Sequence, residues 1–234
     1  MRFSIIIKTL NEENNLKRLL NEIKNQTIKD YEIIVSDGLS TDGTLEIAKE
    51  YGCKIISSKD KNLGAAMNKG AKLAKGEVLV FPDADVKMPN DFLQKIDKAL
   101  KEKNIVGGYF YNVAYDSIIA NFLSYYPICI ALPILKFFRL DAALGPAMFF
   151  KSDFFRKIGG FSEDVLLEDV EMFTKIRRLG YNYAILFPPI GVSARRFRKN
   201  GFIKQNLLYI KYWLDIKLGK KLKKNYHDVY SPIR

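Results

Sequence analysis

Four short apolar runs, Ile5-Ile6-Ile7, Ile33-Ile34-Val35, Ile55-Ile56 and Val78-Leu79-Val80-Phe81, punctuate the first third of this 234-residue chain. Runs of this length without polar alternation suit strands covered on both faces, as in a parallel sheet. Helical periods lie between them. Leu16, Leu19, Leu20 and Ile23 repeat at i, i+3, i+4 and i+7, and two further helices are predicted over 44–51 and 65–74. Thr9-Leu10-Asn11-Glu12 reads as a capping box ahead of the first helix. With right-handed crossovers, the alternation predicts an α/β fold: an open, mostly parallel sheet with helices on both faces. Beyond residue 100 the pattern changes to strand-like stretches at 106–113 and 147–150 and a helix over 168–179. No repeat or linker interrupts it. A single domain over 1–194 with a basic amphipathic appendage over 195–234 is the simplest division.

Ligands of open α/β sheets bind beyond the carboxyl ends of the strands, so the residues that follow each apolar run matter most. Here they are acidic and small. The second run leads into Ser36-Asp37-Gly38-Leu39-Ser40-Thr41-Asp42-Gly43-Thr44, and the fourth into Pro82-Asp83-Ala84-Asp85. In extended backbone Asp83 and Asp85 point to the same side and can converge on a hard cation, although a solvated turn gives the same triplet. Asp42 suits an N-cap for the helix near Thr44, whereas Asp37 has no capping role and is the better candidate for ligand hydroxyls or a base edge. Glu168 and Asp169 open the late helix. Asp169 falls in line with Phe173 and Ile176 on its inward face, with dipole compensation as the alternative reading, and Glu171 with Lys175 reads as an exposed ion pair.

Several chemistries are excluded. There is no GxGxxG and no phosphate loop, and 64–70 lacks the required Lys-Ser/Thr. Two distant cysteines, Cys53 and Cys129, and one histidine, His227, give neither zinc spacing nor a histidine triad, and they fit a reducing compartment. The N-terminus has no secretory pattern, so the expected location is cytoplasmic.

Together these segments resemble a family-2 glycosyltransferase of the GT-A fold. Residues 4–13 are similar to the family's S-V-I-I-P-T-L-N-E-E, 35–44 to V-V-D-D-G-S-T-D-G-T, 62–70 to N-x-G…N-x-G and 81–85 to the DxD segment. Gly159-Gly160-Phe161 with Glu168-Asp169 is similar to G-G-F…E-D. The resemblance implies a nucleotide-sugar donor and a divalent cation, Mn2+ or Mg2+, on Asp85. It puts Thr9, Asn11, Glu12 and Glu168 among the substrate-binding residues, Asp37 at the base or ribose, and Asp83 at the sugar or ribose. Asp169 becomes the general base for an inverting transfer. Ser193-Ala194-Arg195-Arg196-Phe197 resembles a segment near the donor phosphates in one subgroup, where Arg195 or Arg196 would clamp the diphosphate; a solvated basic tail is the alternative. Lys8 stands where proline is usual, and Gly38-Leu39 replaces Asp-Gly. The Q-x-x-R-W motif of processive synthases is missing, which favours single transfer. A sugar-phosphate nucleotidyltransferase is the nearest enzyme alternative, but residues 8–11 lack its glycine- and arginine-rich turn.

The net charge of +12 is concentrated: over 195–224 eleven basic residues face Asp215 alone. From Phe202 the tail reads as an amphipathic helix with Ile203, Leu207, Ile210 and Leu214 in one stripe, and Lys220-Lys221-Leu222-Lys223-Lys224 adds a positive cluster. Such a helix suits an anionic membrane surface, with docking on the core as the alternative. Nucleic acid is disfavoured because no recognition module is present. The uncharged stretch 117–135 approaches a membrane-spanning length, but Pro127 and Pro133 predict two short helices instead. The combined expectation is a peripheral protein on the inner face of the cell membrane with a lipid-linked acceptor, a polyprenyl phosphate or a glycolipid. The alternative of another class is a non-catalytic protein that binds anionic membranes or nucleic acid.

Overall fold

The computed structural model describes residues 1–57, 63–163, 165 and 167–218. Asn62, the lysine cluster 220–224 and His227 lie outside them. Seven strands form one sheet: β1 (Phe3–Thr9), β2 (Tyr31–Asp37), β3 (Lys54–Ser57), β4 (Val78–Pro82), β5 (Ile105–Ala114), β6 (Ala147–Lys151) and β7 (Asn182–Val192). Their order is β3-β2-β1-β4-β6-β5-β7, with β6 antiparallel to both neighbours and all other pairs parallel.

The alternation of side chains along the central strands sorts them into two cores. Ile5, Ile7, Val78 and Val80 face one way, against Leu16, Leu19 and Ile23 of α1 (Glu13–Lys24) and Phe92, Leu93 and Ile96 of α4 (Phe92–Leu100). Ile6, Leu79 and Phe81 face the other way, against Met67 and Ala71 of α3 (Leu63–Leu73) and Phe173 and Ile176 of α8 (Glu168–Arg178). A Cβ on Gly70 would overlap Ile6 Cγ2, so the close approach of α3 to the sheet requires glycine there. α2 (Thr44–Glu50) and α7 (Ser152–Lys157) complete the layers.

The uncharged stretch departs from expectation. α5 (Ile118–Ala120), a π-helical turn over Asn121–Tyr125 and α6 (Tyr126–Phe137) form one continuous 20-residue helix, apolar and long enough to cross a membrane. Pro127 does not break it because proline is tolerated in the first turn of α6, after the π turn. The Leu123 carbonyl, four residues before Pro127, accepts a hydrogen bond from Asn206 Nδ2 at 3.2 Å. Pro133 sits inside α6 without ending it.

Two helices follow β7: α9 (Arg195–Asn200) and α10 (Phe202–Lys217). Phe197 belongs to the first core, with Phe202 and Tyr209 packed on it, and Trp213 packs on the second core while its indole N–H donates to the Asp141 carbonyl at 3.1 Å. The segment is thereby fastened to the sheet domain. The stripe predicted for the tail nevertheless points outward: Ile203 is 76% exposed and Leu207 61%.

Candidate functional site

The carboxyl ends of β1, β2 and β4 and the start of α8 bring the predicted acids to one end of the sheet. Asp37 closes β2 and is buried. Its Oδ1 accepts from Thr9 Oγ1 at 3.0 Å and Ser40 Oγ at 2.5 Å, and its Oδ2 accepts from the Ser40 amide at 2.8 Å. Asp37 caps no helix, as expected, but it holds the 37–40 turn and ties it to β1. Leu39, in that turn, has φ +69°, a conformation that favours glycine. Asp42 is structural but is not the N-cap of α2, which is Gly43: it accepts from the Thr44 amide and hydroxyl and from the Glu13 amide.

No capping box forms at Thr9–Glu12. Thr9 is a strand residue, and the α1 N-cap, Glu12, makes no side-chain cap bond. Asn11, at φ +54°, accepts from the Thr41 amide at 2.8 Å, which splices the β1 and β2 loops. The Glu12 carboxylate is drawn instead to Arg195: Oε1 accepts from Nη2 at 2.6 Å and Oε2 from Nη1 at 3.3 Å. The same guanidinium reaches Asp85, with Nε 3.2 Å from Oδ2. Burial, then the charge of Asp83, pushes Asp85 up to about 6 against the opposing pull of Arg195.

Asp83, two residues earlier, pairs with Lys8, whose Nζ lies 2.9 Å from its Oδ1. Burial alone would lower the Lys8 ammonium, but Asp83 and then Glu168 outweigh it and hold the ammonium above its ordinary value. The reading of the sequence marked Lys8 only as a departure from the family pattern. The signal that could have assigned it was a lone lysine ending an otherwise apolar strand, where a buried cation needs a carboxylate.

Glu168 is buried and its Oε2 has no hydrogen-bond partner among the described residues. Burial raises it, while Lys8 opposes the rise. Asp169 is ringed by protein yet keeps some solvent contact. Burial and the neighbouring Glu168 push it up to about 7, although its Oδ1 accepts from the Val170 amide at 2.7 Å. Phe173 and Ile176 face the core as expected. The expected Glu171–Lys175 pair does not form; Lys175 Nζ donates to the Ile158 carbonyl at 2.5 Å. Arg196 bonds the Tyr209 hydroxyl and adds positive potential at Glu168.

The remaining motifs are scaffold for this end of the sheet. Asn68 Oδ1 accepts from the Phe161 amide and its Nδ2 donates to the Phe161 carbonyl, both at 2.9 Å, while a Cβ on Gly160 would meet Asn68 Oδ1 at 2.5 Å. The N-x-G helix and the G-G-F turn therefore grip each other.

No group of three His, Cys, Asp or Glu side chains able to hold a metal alone occurs among the described residues. Asp85 still suits an ion of the Mg2+ or Mn2+ type. Such ions are commonly held by one or two carboxylates plus substrate phosphates, and this carboxylate is largely enclosed and raised by its acidic neighbours.

An open α/β sheet with carboxylates at its strand ends, facing a raised carboxylate on a helix start, defines a nucleotide-sugar-type transferase scaffold. Residues 4–158 match the model of glycosyl transferase family 2, and the chain belongs to that family. The nucleotidyltransferase alternative is thereby set aside. The chain is similar to a dolichol-phosphate mannosyltransferase of Pyrococcus furiosus, 40% identical over 107 residues that make up 43% of this chain and 30% of the relative. It is also similar to a cholesterol galactosyltransferase of Borreliella burgdorferi, 36% identical over 117 residues, covering 47% and 33%. The matches thus span about a third of these relatives. Among solved structures, a Pyrobaculum calidifontis mannosyltransferase in complex with GDP-Man and Mn2+ has the same fold, with a TM-score of 0.70 at 21% identity, covering 97% of this chain and 67% of the other.

Proposed function

We propose that this chain is an inverting, metal-dependent glycosyltransferase that moves a sugar from a nucleotide-sugar donor to a lipid-linked acceptor at the cytosolic membrane face. The observation that carries it is the gathering of acids around Lys8, on which Asp83, Glu168 and Asp169 all act. Asp83 and Asp85 follow β4, and Asp169, pushed up to about 7, opens α8. A carboxylate near 7 is matched to accepting a proton from an acceptor hydroxyl at neutral pH. A divalent cation, when bound at Asp85 and the diphosphate, would offset charge growing on the leaving nucleotide. Asp83, held by Lys8, is positioned for donor hydroxyls, and Asn11, Thr9 and Asp37 shape the turn on which the nucleoside would rest. The partly exposed Arg195 can reach the diphosphate. If the acceptor is itself a phosphate, it is already anionic, and Asp169 orients it rather than deprotonating it.

The acceptor class rests on the surface beside this site. Ile118, Phe122, Ile130 and Phe137 on the long helix and Ile203, Leu207 and Ile210 on α10 are exposed, and Asn206 Nδ2 stitches the two helices by donating to Ser124 Oγ at 2.8 Å. Apolar side chains in such number, flanked by Lys204 and Lys211, suit an anionic lipid interface. The matched relatives include one whose name specifies dolichol phosphate and one that specifies cholesterol, both lipids.

Calorimetry with GDP, UDP and their sugar conjugates, with and without Mn2+, tests the donor half of this reading. One base should bind in a Mn2+-dependent manner, and Asp85→Ala should abolish that dependence; a folded protein that binds no member overturns it. Sedimentation with phosphatidylglycerol vesicles tests the membrane half. Leu207→Asp with Ile210→Asp should release the protein, and equal binding by this variant and the wild type would overturn the assignment of that face.

A further inference from the structure

Arg195 is placed to do more than hold a diphosphate. Its guanidinium forks onto both oxygens of Glu12, and Nε meets Asp85 Oδ2 at 3.2 Å, so one cation is shared by two carboxylates. Asp85 is the carboxylate on which the proposed reading puts the divalent ion. An ion of the Mg2+ type coordinates a carboxylate oxygen at about 2 Å, which would bring two positive groups together on one oxygen. Even on the other oxygen the ion would sit beside the guanidinium on one carboxylate, so the two cations compete for Asp85. The side chain of Arg195 is one-third exposed, at 33%, which leaves it room to swing, whereas Glu12 and Asp85 are fixed at 13% and 14%.

We propose that Arg195 is a displaceable counter-cation of the Glu12–Asp85 pair, competing with the divalent ion for Asp85 until a nucleoside diphosphate offers its guanidinium another anionic partner. The proposal rests on the glycosyltransferase reading and deepens it. Metal and nucleotide then bind cooperatively: each relieves a cost the other would meet alone, and the coupling is reciprocal. Metal without nucleotide is held weakly, so the ion arrives with the donor.

The test is Mn2+ binding by the full chain, alone and with saturating GDP or UDP, followed by calorimetry and by the loss of the free-Mn2+ paramagnetic resonance signal. Arg195→Gln should bind Mn2+ alone about tenfold tighter than wild type, within the usual range of coupling between sites. It should bind the nucleoside diphosphate more weakly at saturating Mn2+, so the cooperativity collapses from both sides. Misfolding would weaken both and cannot give these opposite signs. Arg195→Lys keeps the charge and should keep Mn2+ binding weak. Arg198→Gln removes a charge from the same helix, but at a residue paired with Asp116, and should leave Mn2+ binding at the wild-type value. If Arg195→Gln binds Mn2+ alone no tighter than wild type while Mn2+ and nucleotide still bind together, the counter-cation role is wrong and the glycosyltransferase reading stands. The same role is overturned if Arg195→Lys or Arg198→Gln tightens Mn2+ binding as much as Arg195→Gln. If no Mn2+-dependent nucleotide binding occurs in any protein, both ideas fall.

Discussion

Replacing Lys8 by methionine removes the cation from the centre of the acidic end of the sheet and leaves its shape nearly intact. Breaking a buried ion pair from one side costs about 3–5 kcal/mol, because the surviving charge is stranded. Here the side chains of Lys8 and Asp83 retain 19% and 30% exposure, so water can reach the stranded carboxylate. About 2 kcal/mol is the expected loss, which for a chain of this size lowers the melting temperature by about 4–8 °C. The double variant Lys8→Met with Asp83→Asn should recover most of that loss, since no charge is then left unpaired. A second consequence concerns Asp169. Lys8 is among the influences that hold its pKa down, against burial and Glu168, so the variant should titrate Asp169 above the wild-type value of about 7. Carbon NMR of labelled aspartate carboxyls, assigned with Asp169→Asn, reads the shift directly. A melting temperature within about 1 °C of wild type, or an Asp169 titration that does not rise, would refute the view that Lys8 balances this cluster.

Asp169→Asn should abolish transfer while stabilising the protein at alkaline pH. The native pKa of about 7 lies above the ordinary 3.8, so the native state binds the proton more tightly and wild-type stability falls as pH rises between those values. Melting at pH 8 should favour the variant by about 1–2 kcal/mol, with the advantage vanishing near pH 4; an equal gain at both would show another cause. Leu39→Gly relieves a left-handed backbone that costs a non-glycine residue about 1–2 kcal/mol, offset by about 0.5–1 kcal/mol of glycine chain entropy. A net gain of about 0.5–1 kcal/mol should appear in urea unfolding, and a loss would mean that the half-exposed Leu39 side chain contributes packing.

The first strands were legible because their signal is local: the runs of β1, β2 and β4 are buried as expected and the leucine spacing of α1 needs no tertiary help. By contrast, Ile55-Ile56 forms a half-exposed edge strand, and β7 was not read from the sequence. The long helix was misread for a reason of the same kind in reverse. Proline is a local breaker, but the carbonyl four residues before Pro127 is satisfied by Asn206, 83 residues away in sequence from Leu123. Asp37 shows the same limit at short range. Its bonds from Ser40 are local to the turn, but Thr9 becomes its partner only once β1 and β2 lie in register, with Thr9 opposite Asp37.

Position in the sequence was thus enough to expect these acids at one end of the sheet, but not to read their electrical state. Glu12 and Arg195 stand 183 residues apart, and Lys8 in β1 meets Asp83, just past the end of β4, through an isolated parallel bridge. The lysine near the end of β1 hints that a carboxylate must meet it, but neither pairing names its partner in composition or spacing. Asp83 and Asp85 each lean on a cation of the chain itself, whereas Asp169 has its own helix amide but no ion pair among the described residues. Burial and then Glu168 bring Asp169 to about 7 against the pull of Lys8, while Asp85, beside Arg195, rises only to about 6. On the proposed reading the two tasks are divided by counter-charge rather than by residue type: Asp83 and Asp85, each with a resident cation, would exchange it for a ligand, and Asp169 would take the proton.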